Sequence, residues 1–258
     1  MTGSDRGRRL AREQYERRQQ RRAEAAARAR RRGVVLGAVV AAALVVGALV
    51  LTSVLDDDEG SSTAAPPAAA AGLDCAEAPS PVASPQSFPS APAPDPQGPT
   101  RATISTTCGD LEVELLPEAA PATVASFAQL SEQGFYDATP CHRLTTSGIY
   151  VLQCGDPTGT GTGGPGYSVP LENAPADEAY PAGTLAMARS ADPDSGGSQF
   201  FVVYEDTRPP APGYTVFGRV TGGLDVLEAL AAAGSDESNG PGDGRPAQPV
   251  GISAVAVS

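Results

Sequence analysis

The stretch that decides the fold runs from Thr139 to Phe201 and contains CHRL at 141–144, GIYVLQCGD at 148–156 and GSQFF at 197–201. An arginine stands at the head of a short apolar strand pattern, a glycine-rich loop follows, and a second strand carries a glutamine and two phenylalanines. One cation beside an aromatic-lined hollow, without a metal cluster or a nucleophile–base pair, suits a reaction that makes and breaks no covalent bond.

Short strand patterns continue on both sides of this stretch. Ala102–Thr107 and Leu111–Leu115 alternate around the sequence Cys-Gly-Asp at 108–110, which predicts a hairpin. Helical spacing predicts one helix over Thr123–Gln133 and another over Leu224–Ala233, each followed by a glycine. Many short strands with two helices indicate a mainly β protein, a closed β-barrel with helical caps. The other predicted strands lie near 142–146, 149–154, 183–188, 199–204, 215–220 and 250–257.

The charge of the chain is divided unevenly along its length. The net charge is −12, yet residues 1–33 hold twelve arginines against four acidic residues, a local net of +8. The rest of the chain therefore carries −20. This asymmetry predicts a basic cytoplasmic tail and an acidic domain on the other side of a membrane. It also argues against nucleic acid as a partner, because the large domain would repel phosphate.

Residues 34–55 form an uncharged run rich in Val, Ala and Leu. As a helix, a run of this length spans a hydrocarbon core of roughly 30 Å. It predicts a single-pass signal-anchor at the cell membrane, with the N-terminus cytoplasmic and the large domain extracytoplasmic. A signal peptide cleaved near the alanines at 68–71 is the alternative, but the long basic region and the long apolar run favour an anchor.

Residues 56–100 begin with four acidic residues and then become rich in proline and alanine. Such a composition buries little apolar surface, which predicts a disordered extracytoplasmic linker. The domain proper is predicted at 101–258. Cys75, inside the linker, either pairs with a cysteine of the domain or is a free thiol.

The glycine-rich loop at 159–164 matches G-x-G-x-x-G, the pattern of a dinucleotide site. That site needs a helix directly after the loop, which Pro165 and Gly166 prevent. The pattern is therefore interpreted as a loop, and no cofactor is predicted.

His142 is the only histidine of the chain. A hydrolase would have to combine it with Ser198 or Cys141, but Cys141 neighbours it on the same strand and so points to the opposite face. One histidine without clustered cysteines also argues against a zinc site. The favoured interpretation is a hydrogen-bonded strand histidine.

The four cysteines allow two disulfides. Cys141 and Cys154 flank the hairpin at 144–152, and antiparallel pairing places them opposite one another. An extracytoplasmic location would preserve such a bond. Cys75 and Cys108 remain as a second pair, and buried free thiols are the alternative for all four.

Residues 101–258 resemble the cyclophilin family of peptidyl-prolyl cis–trans isomerases, and the anchor and spacer resemble those of membrane-tethered actinobacterial cyclophilins. The resemblance implies an eight-stranded antiparallel barrel closed by two α-helices, with the site on its outer face. It also implies isomerisation of X–Pro bonds in unfolded or proline-containing exported polypeptides. We expect a monomer without a cofactor or metal. The motifs that carry the resemblance, in chain order, are CHRL, YVLQCGD, GTGTGGPGY at 159–167, GTLAMA at 183–188, GSQFF and YTVFGRV at 214–220.

By matching position, the resemblance makes Arg143 the catalytic residue. Because neighbours on a strand face opposite sides, one of Phe200 and Phe201 is expected in the core and the other at the site. A proline-peptide-binding chaperone module without catalysis, on the same fold, is the alternative function. The substrate-binding residues implied by the resemblance are His142, Tyr150, Val151, Gln153, Ala188, Arg189, Gln199, Phe201 and Tyr214.

Overall fold

The strand and helix patterns found in the sequence are present in a computed structural model that describes residues 73–258. The predicted basic tail, the predicted signal-anchor at 34–55 and the first part of the predicted linker lie outside the described residues. Within residues 73–258, no helix has the length and apolar character needed to cross a membrane.

Residues 73–258 form ten strands and two helices. Eight strands lie within about two residues of their predicted positions, whereas β3 and β9 are too short to show an alternating pattern. The elements in chain order are β1 Arg101–Thr106, β2 Gly109–Leu115, α1 Pro121–Glu132, β3 Thr139–Pro140, β4 Arg143–Ser147, β5 Ile149–Cys154, β6 Thr184–Met187, β7 Phe200–Val203, β8 Val216–Gly222, α2 Leu224–Ala233, β9 Asp243–Gly244 and β10 Gly251–Val257.

All strands belong to one antiparallel sheet with the order β3-β10-β1-β2-β8-β6-β7-β5-β4-β9. The predicted mainly β architecture with two helices is confirmed. The predicted closure by eight strands is not, because ten strands take part and the end strands β3 and β9 are not paired with each other within the described residues. Both end strands have two residues, and Pro140 in β3 has no N–H to donate to a further strand.

The inner face of the sheet and α1 enclose a core centred on Phe127. This ring lies 5.3 Å from Tyr136, 5.7 Å from Phe200 and 5.3 Å from Phe217, measured between centroids. None of the four is more than 1% exposed. Aromatic rings of this size bury a large apolar area and prefer such tilted contacts, so they fix α1 against the sheet.

Helix α1 receives its N-terminal cap from a distant part of the chain. Ala120, at the N-cap position, has no side chain that can accept a hydrogen bond. The carboxylate of Glu172 instead accepts the N–H groups of Ala122 at 3.1 Å and Thr123 at 2.9 Å. A negative charge at this end of a helix also interacts favourably with the helix dipole.

Residues 73–100, here called the N-terminal strap, correct the prediction of a disordered linker for this part of the chain. The strap has no regular secondary structure, yet its backbone donates to the domain: Ala76 N–H to the Thr107 carbonyl and Val82 N–H to the Pro157 carbonyl, both at 2.7 Å. Extended proline-rich segments lose little entropy on ordering, so a few contacts suffice to hold them.

The side chain that best explains the docking of the strap is Phe88. Its ring centroid lies 6.2 Å from that of Phe135 at the edge of the core, and its N–H donates to the Pro165 carbonyl at 2.8 Å. Leu73 and Ala91 also pack against the core cluster. These apolar anchors are spread too thinly along the strap to show in its composition.

Both predicted disulfides are present. Cys141 pairs with Cys154 across the β4–β5 hairpin, and Cys75 pairs with Cys108 in the β1–β2 turn. The second bond closes the longer loop, with a sequence separation of 33 residues against 13. By loop-closure entropy it stabilises the fold by about 3–4 kcal/mol, and it fixes the strap to the domain.

We expect Phe88→Ala to lower the free energy of unfolding by about 1–2 kcal/mol, because a half-buried ring loses its contact with the core. Val82→Ala is the matched control, since Val82 belongs to the same strap but is 38% exposed; its effect should stay within about 0.5 kcal/mol. Equilibrium urea denaturation measures both. Equal effects of the two substitutions would show that the strap is not anchored through Phe88.

Candidate active site

Three side chains predicted for the site lie in one row across the sheet. The antiparallel register pairs Arg143 of β4 with Gln153 of β5, Gln153 with Phe201 of β7, and Phe201 with Ala186 of β6. Directly paired residues point to the same face, with Cβ atoms about 4.5–5.5 Å apart. The guanidinium, the amide and the phenyl ring therefore lie side by side on the outer face.

An apolar cluster covers the outer face around this row. Phe201 is its largest member on the strands; it is 5% exposed and meets the Tyr214 ring edge-on at 5.1 Å. Phe200 packs in the inner core instead, so the two phenylalanines divide as expected. The buried members of this outer cluster are Val151, Tyr180, Ala186, Phe201 and Val203, and Ile149, Ala188, Tyr214 and Val216 pack against them.

Tyr150, predicted to bind substrate, is not on this face. Val151 and Gln153 point outward, so Tyr150 points inward by strand alternation. There it packs against the inner core cluster and meets the Tyr204 ring at 6.1 Å. The structure thus brings Val151 to the outer cluster and packs Tyr150 against the inner one.

The guanidinium of Arg143 is held by a carboxylate that the sequence did not point to. Nε donates to Oδ1 of Asp243 at 2.9 Å, and Nη2 donates to Oδ2 at 2.6 Å. Nη1 lies 3.5 Å from Oε1 of Gln153. The hydrogen bond to Asp243 is the main cause that raises the pKa of Arg143, and the same bond lowers the pKa of Asp243. Arg143 therefore stays charged at any ordinary pH.

Two glutamine side chains continue from Arg143 in a chain of hydrogen bonds. Nε2 of Gln153 donates to Oε1 of Gln199 at 2.8 Å, and Nε2 of Gln199 donates to the Gly163 carbonyl at 2.9 Å. These partners fix which end of each amide carries oxygen, so Gln153 presents its oxygen to Arg143. The chain of bonds links Arg143 to the glycine-rich loop.

A cavity of about 690 Å³ opens beside the two glutamines. Its walls come from the loop at 161–168, from Ala188 and Arg189, and from the segment at 197–199. Since Ala188 also packs against the outer apolar cluster, the cavity and the cluster adjoin at this residue. A peptide chain lying across Ala188 would contact both.

Arg189 closes the rim between the cavity and Tyr214. Its Nε donates to the Gly213 carbonyl at 2.7 Å, and its guanidinium carbon lies 4.8 Å from the centroid of the Tyr214 ring. The resemblance implied that Arg189 binds substrate, but the hydrogen bonds of its side chain go to the Gly213 and Ser190 carbonyls of the chain itself. Arg189 and Tyr214 thus brace one another at the edge of the site.

Asp156 organises the glycine-rich loop. Its carboxylate accepts the N–H groups of Thr158 at 2.8 Å, Gly161 at 2.7 Å and Gly163 at 3.1 Å, and the Thr158 hydroxyl at 2.7 Å. Burial by itself would raise the pKa of Asp156, but these hydrogen bonds outweigh it and hold the pKa below its usual value. A fully buried carboxylate therefore sets the shape of the cavity wall.

His142 lies close to the site, but not in the outer apolar cluster. With Arg143 and Gln153 it lines a second cavity of about 590 Å³, and Gly161 of the loop covers its ring. Neither ring nitrogen has a hydrogen-bond partner among residues 73–258, so the expectation of a hydrogen-bonded histidine is wrong for this part of the chain. Burial is the main cause that lowers the pKa of His142; Asp156 opposes this effect and Arg143 reinforces it.

The two candidate nucleophiles of the hydrolase interpretation, Cys141 and Ser198, are both occupied in the structure. Cys141 is bonded to Cys154. The hydroxyl of Ser198 is fully buried and donates to the Gly155 carbonyl at 2.7 Å. Neither group is available to attack a substrate with His142 as its base.

Asp243 is the residue that sequence reasoning missed. It lies 100 positions after Arg143, in a loop whose composition of glycine and proline indicates only a turn. No pattern in the sequence near either position connects them, because the two residues meet only when the two-residue strand β9 pairs with β4. The isolated acid between two glycines, at 242–244, is the one signal that marks it.

Comparison with known proteins identifies the family of the chain. The sequence model of the family described as cyclophilin type peptidyl-prolyl cis-trans isomerase/CLD matches residues 101–257. The chain is 45% identical over 176 residues to a probable peptidyl-prolyl cis-trans isomerase B of Mycobacterium tuberculosis, covering 62% of this chain and 56% of that protein. It is 50% identical over 122 residues to peptidyl-prolyl cis-trans isomerase B of Bacillus subtilis, covering 47% and 82%.

A solved structure supports the same assignment at the level of the fold. The cyclophilin type isomerase of Cryptosporidium parvum, crystallised in the presence of the dipeptide Ala-Pro, superposes with a TM-score of 0.53 at 30% identity. The alignment covers 61% of this chain and 98% of that one. The chain belongs to the cyclophilin type peptidyl-prolyl cis-trans isomerase family. It spans somewhat more than half the length of the mycobacterial relatives that it matches.

We expect Asp156→Asn to lower the free energy of unfolding by about 1–3 kcal/mol, since an amide NH₂ would face N–H donors of the loop in a buried position. Asp192→Asn is the matched control, because that exposed carboxylate accepts the single N–H of Asp194. Urea denaturation compares the two. A loss at Asp192 as large as at Asp156 would contradict the organising role of Asp156.

The half-buried His142 should make the free energy of unfolding depend on pH in the acid range. Because the pKa of the folded chain is depressed below its usual 6.5, the unfolded chain takes up the proton first as the pH falls. The contribution of neutral His142 to the free energy of unfolding is complete above about pH 6.5, and it is lost as the pH falls through the pKa of His142 in the folded chain.

Urea denaturation at pH 7.5 and pH 5 measures this effect in the wild type and in His142→Gln, which does not titrate. The glutamine variant should lose less stability between the two pH values. Identical losses in the two proteins would show that His142 does not carry the acid dependence.

Proposed function

We propose that this chain is a peptidyl-prolyl cis–trans isomerase in which Arg143 stabilises the twisted prolyl amide. The observation that carries the proposal is the row Arg143–Gln153–Phe201, in which a permanent cation adjoins an apolar aromatic surface. Membership of the family and the names of the relatives support the same activity. The related crystal structure was obtained with a dipeptide that contains proline.

The chemistry requires lowering a barrier of about 18–20 kcal/mol, because resonance keeps the peptide bond planar. As the bond twists, the prolyl nitrogen becomes pyramidal and regains its lone pair. A guanidinium N–H placed beside that nitrogen donates to it in the twisted state and not in the planar one. Interactions that exist only in the transition state are the ones that accelerate a reaction.

Each neighbour of Arg143 has a part in this proposal. Phe201 and Val151 supply the apolar surface against which the proline ring packs. Gln153 orients the guanidinium, and the loss of water around a proline ring lying there strengthens the charged contact. The peptide continues past Ala188 into the cavity lined by Gln199 and the glycine-rich loop.

The cellular setting is a further part of the proposal. Residues 34–55 anchor the chain as a single membrane helix with the N-terminus in the cytoplasm, and the domain acts outside on exported, proline-containing polypeptides as a monomer. The apolar run and the charge asymmetry of the sequence support this topology. Two disulfides, one within the domain and one between the strap and the domain, fit an oxidising compartment.

A peptide-binding module without catalysis is the second candidate function. It is favoured by the ion pair itself, because the carboxylate of Asp243 offsets the charge of Arg143. On that hypothesis the outer cluster and the cavity bind proline peptides, and the barrier to rotation about the X–Pro bond stays the same as in water.

We expect Arg143→Ala to reduce kcat/KM for cis-to-trans conversion of an Ala-Pro peptide by about 100-fold, the scale measured when one transition-state donor is removed from an active site. Arg219→Ala is the matched control. Arg219 is an exposed arginine paired with Glu114 on the surface, and its removal should change the rate by less than twofold.

Peptide binding distinguishes the two functions. If the chain is an isomerase, Arg143→Ala should bind the peptide as tightly as the wild type does but convert it from cis to trans more slowly. A chain that binds the peptide without accelerating its isomerisation is the binding module. Equal rates for the wild type and Arg143→Ala would remove arginine from the mechanism.

A further inference from the structure

The contact between Arg143 and Asp243 uses one defined edge of the guanidinium. Nε and Nη2 each donate to a different carboxylate oxygen, so the two groups meet as a fork with two parallel bonds. A guanidinium has five N–H groups, and this pairing occupies two of them. Nη1 takes no part in this pairing; it lies 3.5 Å from Oε1 of Gln153, on the side of the row that leads to Phe201.

The carboxylate of Asp243 is itself held in place. Strand β9 pairs with β4, with Asp243 opposite Thr145. The carbonyl of Gly242 accepts the N–H of Thr146 at 2.8 Å, and Nδ2 of Asn239 donates to Oδ1 of Asp243 at 3.2 Å. The loop thus returns to the head of β4 and delivers a fixed acceptor beside Arg143.

The close approach of the loop depends on glycine. A Cβ atom on Gly242 would meet Ser147, and the positive φ of +70° is one that other residues adopt rarely. A Cβ on Gly244 would meet Asp236 and the backbone N–H groups of Glu237 and Ser238. Both neighbours of Asp243 are therefore needed to bring its carboxylate within reach of Arg143.

Stability alone does not account for this arrangement. The side chains of Arg143 and Asp243 are 34% and 28% exposed, and ion pairs near the surface contribute little to stability. An unpaired arginine, by contrast, samples many rotamers of its long side chain. The fork holds the guanidinium plane of Arg143 in one orientation, with Nη1 directed toward Gln153.

We propose that Asp243 is a positioning residue that holds the guanidinium of Arg143 with its Nη1 edge toward the prolyl nitrogen. This role rests on the proposed isomerase function. Asp243 acts through Arg143 and does not touch the substrate. Without it the guanidinium still binds near the pocket but is correctly placed for a smaller fraction of the time, so the turnover falls and the affinity for the peptide does not.

A double-mutant cycle in the full 258-residue chain, kept in mild detergent, tests this role. The variants are Arg143→Ala, Asp243→Ala and the two combined, each measured for kcat and KM on an Ala-Pro peptide. We expect Asp243→Ala to lower kcat about tenfold with KM nearly unchanged, and to cause no further loss when residue 143 is already alanine. Asp243→Glu, which keeps the carboxylate, should restore part of the rate.

Two further measurements separate the outcomes. The Nε–H resonance of Arg143, observed by NMR, should shift and exchange faster with water in Asp243→Ala. Glu118→Gln controls for the loss of one negative charge, since Glu118 is exposed in the turn before α1, and it should leave kcat unchanged.

Three results would overturn the role of Asp243. If Asp243→Ala lowers kcat by the same factor whether residue 143 is arginine or alanine, Asp243 has a structural role that does not act through Arg143. A higher kcat in Asp243→Ala would show that the carboxylate weakens the cation. If the wild type is active and Asp243→Ala leaves kcat unchanged, Asp243 has no positioning role, and the proposed isomerase function still stands. An inactive wild type would instead remove the proposed function, and the positioning role with it.

Discussion

The pairing register of four neighbouring strands is the constraint on which the site depends. Along β4, β5, β7 and β6 it aligns Arg143, Gln153, Phe201 and Ala186 on the outer face, while Leu144, Leu152, Val202 and Leu185 align on the inner one. A slip of one residue would exchange the two faces along the whole strand. The leucines and valine are almost fully buried, so the energy of the core fixes the position of the cation.

The sequence predicted well whatever repeats over a few residues. Alternation located eight strands, helical spacing located α2 over Leu224–Ala233, and the position of two cysteines beside a hairpin predicted the bond between Cys141 and Cys154. Within the site the motifs pointed to Arg143 and Gln153, which the structure brings together. These signals are local, because the periodicity that reports a strand or a helix is contained in a short window of sequence.

The sequence predicted poorly whatever depends on contacts between distant segments. Asp243 reaches Arg143 across 100 positions by way of two residues of strand, and Glu172 caps α1 from 50 positions away. The motif assigned both Tyr150 and Val151 to the site, although neighbours on a strand face opposite sides, and Tyr150 packs against the inner core cluster. The strap was misjudged because its average composition hides single anchors such as Phe88.

The glycine-rich wall of the cavity is held from two sides, by the carboxylate of Asp156 within the loop and by the strap, whose N–H groups bind the carbonyls of Pro157 and Pro165. Glycines normally lose much conformational entropy when a ligand orders them. Here that loss has already occurred during folding, so a peptide bound there under the proposed function would give up little beyond its own freedom. Because such a wall offers mainly backbone, the proposed isomerase would select its ligands by the path of their main chain and tolerate many different side chains.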